Sequence, residues 1–175
     1  MKKALTIAML LAISMAGFAQ RQKVTVGKDG EMIVNGDTVA YIEREGCKYF
    51  SSDCMIYIVN ENNEILIYIT LKSFVDKDYI SLESPNGRTK YYLSFSFPGY
   101  DETAEMEASY EMIKEKAIAK QIVLWNLIKD KKLNPEGVNR FITTIGHSYS
   151  DKERRQSNIP IIQIVQPPQY EHINK

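Results

Sequence analysis

Residues 64–74 read EILIYITLKSF, and the period of this stretch decides what kind of domain the chain builds. Ile65, Ile67, Ile69 and Leu71 fall on one side of an extended backbone, and Leu66, Tyr68 and Thr70 fall on the other. Both sides are largely apolar, so the stretch predicts a central strand covered on both faces.

Working outward, the same period recurs. MIYIVN precedes it across the polar Glu61-Asn62-Asn63 connection, which has hairpin length. KVTVG and EMIV flank Lys28-Asp29-Gly30, and VNGDTVAYIER places Asn35-Gly36 before a further strand. Asp-Gly and Asn-Gly are hairpin turns. After Pro85-Asn86-Gly87, TKYYLSFSF alternates with Tyr91, Leu93, Phe95 and Phe97 inward and Tyr92, Ser94 and Ser96 outward. Short turns cannot join parallel neighbours, so the first half is an antiparallel meander of about five to seven strands.

Beyond Pro98-Gly99 the period reads as 3.6. Asp101 or Thr103 is placed to cap a long helix running to about Lys132, with Met106, Tyr110, Ile113, Ala117, Leu124 and Ile128 along one stripe. Its acidic start (Asp101, Glu102, Glu105, Glu107, Glu111) and basic end (Lys129, Lys131, Lys132) suit the helix dipole. A shorter helix follows, with Asn134 as cap, Pro135 in the first position, Val138, Phe141, Ile142 and Ile145 on one face, and Gly146 as its stop. The fold class is therefore α+β, a meander followed by a long and a shorter helix packed on one face. Past Gly146, Asp151-Lys152-Glu153-Arg154-Arg155 reads as a solvated loop. Residues 159–165, IPIIQIV, are apolar enough to dock, and the end after Pro167-Pro168 is expected to be mobile.

The first nineteen residues carry Lys2 and Lys3, an apolar run and a small-residue ending at Gly17-Phe18-Ala19. That pattern predicts a signal peptide cleaved after Ala19, and hence a periplasmic or extracellular protein without a membrane span. The domain then occupies residues 20–146, with 147–175 as a C-terminal extension. Removing Lys2 and Lys3 leaves 20 basic against 22 acidic side chains, which gives no electrostatic reason to expect nucleic acid as partner.

Cys47 and Cys54 are the two cysteines of the chain. An oxidising compartment favours a disulfide between them over two unpaired thiols, provided the chain reverses within the intervening residues. Ser51-Ser52-Asp53 is suitable turn chemistry. A redox pair asks for C-x-x-C and a zinc site for two further ligands, and the sequence offers neither at a recognisable spacing. The Asn60–Glu64 and Asp76–Asp78 oxygens lack the calcium loop's central glycine and closing glutamate. No cofactor loop or metal motif is present.

The eleven tyrosines are the compositional oddity. Tyrosine has high strand propensity, which accounts for most of them. A face carrying Tyr41, Tyr57, Tyr68 and Tyr92 is also a candidate binding surface for a protein, peptide or glycan of the cell envelope, because each ring is apolar with a polar tip. The reading is a non-catalytic binding or structural module. Its alternative is a small hydrolase whose groups, His147 among them, converge from separate strands.

Overall fold

The computed structural model describes residues 22–47 and 54–157. Residues 1–19, expected to be a signal peptide, and the apolar segment 159–165, expected to dock, lie outside the described residues. Among those described, seven strands form one antiparallel sheet: β1 (Val24–Val26), β2 (Glu31–Val34), β3 (Asp37–Glu45), β4 (Met55–Val59), β5 (Ile65–Asp76), β6 (Arg88–Ser96) and β7 (Thr103–Glu107). Their order across the sheet is their order along the chain. The α+β class and the meander stand as the sequence indicates.

Local chemistry makes the turns. Asn35 and Gly36 take φ of 54° and 105°, the left-handed pair that matches strand twist between β2 and β3. Between β4 and β5 the Asn60 side chain organises the reversal. Its Oδ1 accepts from the backbone N–H of Asn62 at 2.9 Å and of Glu64 at 3.0 Å, and its Nδ2 donates to the Glu64 carboxylate at 2.7 Å. Cys47 and Cys54 close the β3–β4 hairpin as a disulfide. An eight-residue loop of this kind stabilises by about 2.5 kcal/mol in the chain-entropy account.

The expected long helix is replaced by four pieces. Thr103–Glu107 is β7, with Phe95 opposite Ala104 and Leu93 opposite Met106. The turns that follow lead to α1 (Glu115–Leu124), then to a small hairpin of β8 (Ile128–Lys129) and β9 (Lys132–Leu133). The TAEME run has helix-forming residues, but the open edge of β6 offers ladder hydrogen bonds, and tertiary context overrides propensity. Within it Ala104 is fully buried, while the neighbouring Glu105 faces the other side of the sheet. Tyr110 and Leu124, expected on a buried stripe, are exposed. The dipole account fails with the helix: Glu105 and Glu107 lie in a strand, and Lys131 of the β8–β9 turn instead pairs with Glu61.

α2 (Pro135–Ile145) begins and ends where expected, with Pro135 first and Gly146 at φ 63° after it. One detail differs. The Asn134 side chain does not cap the helix but donates to the Asn126 carbonyl at 2.8 Å. The charged stretch beyond, expected as a loop, is a third helix, α3 (Ser148–Ser157).

The core lies between one sheet face and the pair α1–α2. Ile42, Ile56, Ile58, Ile67, Ile69, Leu71, Leu93 and Phe95 meet Ile118, Ile122, Val138, Phe141 and Ile142. Phe141 stands edge-on to Phe95 at 5.2 Å and to Phe97 at 6.0 Å. These eight buried aliphatic or aromatic side chains of the sheet are removed from water by that packing. The opposite face is treated unequally, and that inequality creates the candidate site.

Candidate functional site

Register places Tyr41, Tyr57, Tyr68 and Tyr92 on one face of the sheet, the face turned away from α1 and α2. Tyr57 stands directly opposite Tyr68, Tyr41 pairs with Val59 two positions along β4, and Tyr92 pairs with Lys72. Tyr68 and Lys72 are four residues apart on β5, so Tyr92 lies about 13 Å along the strand direction from the Tyr57–Tyr68 pair. These residues share a face but not a condition.

At the β4–β5 end the face is open. The Tyr57 and Tyr68 rings meet edge-to-face at 5.8 Å and 73°. Such a pair is the favoured geometry for two quadrupoles. Met55 and Tyr68 are more than a third exposed, and Thr70 beside them is half-buried. The Tyr57 hydroxyl donates to the Glu45 carboxylate at 3.0 Å. That bond, reinforced by burial and by the charge of Glu45, raises the phenol above its ordinary value. Glu43, Glu45 and Lys72 border the patch as exposed charges. The strand 64–74 is thus not covered on both sides, as its two apolar faces suggested. Through its middle it is covered on one.

At the β5–β7 end the face is closed by α3. Tyr92 is 2% exposed, and its ring stacks on Tyr149 at 5.3 Å and 9°. Tyr92 and Ser94, expected outward, point out from the core as predicted but are buried again by this second layer. Burial, with Glu105 and Glu153 nearby, pushes the Tyr92 phenol up to about 12. The Tyr149 phenol is raised too, by burial and then by Glu107 and Glu105.

Polar groups hold α3 in place. Glu105 reaches from β7 to the start of the helix, where its Oε2 accepts from the N–H of Tyr149 at 3.0 Å and of Ser150 at 2.8 Å. A carboxylate there satisfies orphan donors and complements the dipole. At the other end Asp76 accepts from Lys152 Nζ at 2.7 Å and from Gln156 Nε2 at 2.8 Å. Gln156 in turn accepts from the Lys77 N–H at 3.1 Å, and its carbonyl accepts from Lys77 Nζ at 3.0 Å. Sequence reasoning missed Glu105, Asp76, Tyr149, Lys152 and Gln156. The one available signal was the alternation of Thr103, Glu105 and Glu107, legible only once the run is read as a strand.

The remaining candidates have structural partners. Glu61 pairs with Lys131, and Asp76 and Asp78 both receive Lys152. His147 Nδ1 lies 3.3 Å from the Thr103 hydroxyl. Among the described residues no group of three or more His, Cys, Asp and Glu side chains is arranged to hold a metal ion, and no helix is long and apolar enough to cross a membrane. Comparison with protein families, with curated proteins and with solved structures gave no match to this chain.

Proposed function

We propose that this chain is an exported, non-catalytic binding module that engages a polypeptide or glycan of the cell envelope through the open part of its tyrosine face. The observation that carries the reading is the Tyr57–Tyr68 pair, which stands uncovered on a sheet whose other face is packed by two helices. Tyrosine presents a large apolar ring with a hydroxyl at its edge, at low entropic cost on ordering. Sugars stack on such rings, and extended chains lie across them, with Glu43, Glu45 and Lys72 supplying polar contacts at the rim. Export rests on the leader-like composition of residues 1–19 and agrees with a disulfide between Cys47 and Cys54, since such bonds persist in oxidising compartments.

The test is retention of envelope components by the mature protein, compared with a Tyr57→Ser/Tyr68→Ser variant. Both positions are surface-facing, so the variant keeps the core. The expected result is one glycan or polypeptide held by the native face and lost, by 10-fold or more in affinity, from the variant, as for aromatic anchors at interfaces. Equal retention by both proteins, or turnover of a substrate in a hydrolase screen, removes the proposal.

A further inference from the structure

Two kinds of helix cover this sheet, and they are held by opposite means. α2 places Val138, Phe141 and Ile142 in the core. α3 reads SYSDKERRQS, with no aliphatic side chain, and Gln156 is its one buried residue. Its attachments are the Glu105 carboxylate and the Tyr92–Tyr149 stack at its first turn, and the cluster that Asp76 makes with Lys152 and Gln156 further along. Each of these groups regains water on separation, so the net contribution of its bonds is only a fraction of their strength within the fold. Buried aliphatic groups have no such recourse. The chain enters α3 through Gly146, at φ 63°, whose carbonyl accepts from the Glu105 N–H at 2.9 Å and so ties the start of α3 to β7. A helix of ten residues is marginal on its own in water, so the sheet supplies its stability.

We infer that α3 is a displaceable strap, which leaves the sheet as a unit while the seven strands, α1 and α2 remain folded. Its departure lengthens the open tyrosine face. Tyr92, covered by Tyr149 of this helix, lies on the same side as Tyr57 and Tyr68, and the Phe74 ring meets it at 6.2 Å on that side. In the strapped form a ligand meets the β3–β5 end of the face. In the released form it also reaches β6, and the Asp76 and Glu105 carboxylates turn to solvent. This last step rests on the binding role proposed above, but the detachment itself does not.

Amide hydrogen exchange on the mature protein, with no ligand present, tests the detachment. Local opening exchanges independently of global unfolding. The expected pattern is exchange of the α3 amides at least 10-fold faster than the β4 and β5 amides, by an opening insensitive to low denaturant. Glu105→Gln should speed the α3 amides by a further factor of roughly 10 and leave β4 and β5 unchanged, because a charge-assisted pair of bonds becomes a neutral one. If that variant does not fold, Tyr149→Ala removes the ring stack and reports in the same way. The inference is overturned if the α3 and sheet amides exchange together in the native protein, or if the variant speeds both alike. Neither readout involves a ligand, so a failed retention experiment leaves the strap standing, and a fixed α3 leaves the open tyrosine pair standing.

Discussion

Asp76 ends β5 with its carboxylate 2% exposed, close to Lys152 and to the amide of Gln156. Burial alone would raise its pKa, but the bonds from Lys152, Gln156 and the Asp78 N–H, together with the Lys152 charge, outweigh it and hold the group below its ordinary value. A carboxylate depressed in the folded state binds fewer protons there than in the unfolded chain. The stability it contributes is therefore present above the ordinary carboxylate range and is lost as pH falls through the depressed value. Urea unfolding at several pH values should show a decline below about pH 4 that is smaller in Asp76→Asn; an equal decline in both proteins would show that the group is not an anchor. Tyr92 has the opposite sense. Its neutral phenol is favoured in the fold, so its contribution is intact below pH 10 and disappears as pH rises toward about 12.

At the level of elements, what could be read from the chain depends on how far each element's partners lie along it. The strands β2 to β6 announce themselves, because alternation and an Asn-Gly or Asn-rich turn are local signals and their hydrogen-bond partners are the next strand. β7 was misread because TAEME is compatible with a helix, and the deciding factor, a free edge on β6, is not local. α3 was misread for a related reason: nothing apolar marks a buried side, and its anchors Glu105 and Asp76 lie 44 to 80 residues away. The tyrosine face was legible as a set of residues on one side of a sheet. Which of them lie open was not, since that is decided by α3. α2 was legible except for the Asn134 side chain, which does not cap it, and for its close approach to the chain after α1. A methyl group on Gly137 would stand 2.1 Å from the Asn126 carbonyl oxygen, a backbone atom that cannot give way cheaply. Gly137→Ala, ordinarily favourable in a helix, should here lower stability by about 1–3 kcal/mol, measured as a drop in the urea midpoint with an unchanged slope. An unaltered or higher midpoint would show that α2 shifts freely.

Across the described residues, the seven-stranded sheet has one face packed dry by helices and one divided face. The dry side carries the stability. Phe141 is fully buried against Phe95, Phe97 and Trp125, so Phe141→Ala should lower stability by about 3–5 kcal/mol. Leu124, 70% exposed at the end of α1, supplies the contrast: Leu124→Ala should stay within about 0.5 kcal/mol. Thermal and urea denaturation of the two variants side by side checks whether core burial, rather than helix content, sets the melting point.

Because strand neighbours in space are also neighbours in sequence, no part of the sheet waits for a distant segment before it can pair. A polypeptide emerging N-terminus first from a ribosome can zip one hairpin onto the last as each leaves the exit tunnel. Only the closing helices depend on the final third of synthesis. Until they arrive, the apolar side of the growing sheet has no cover.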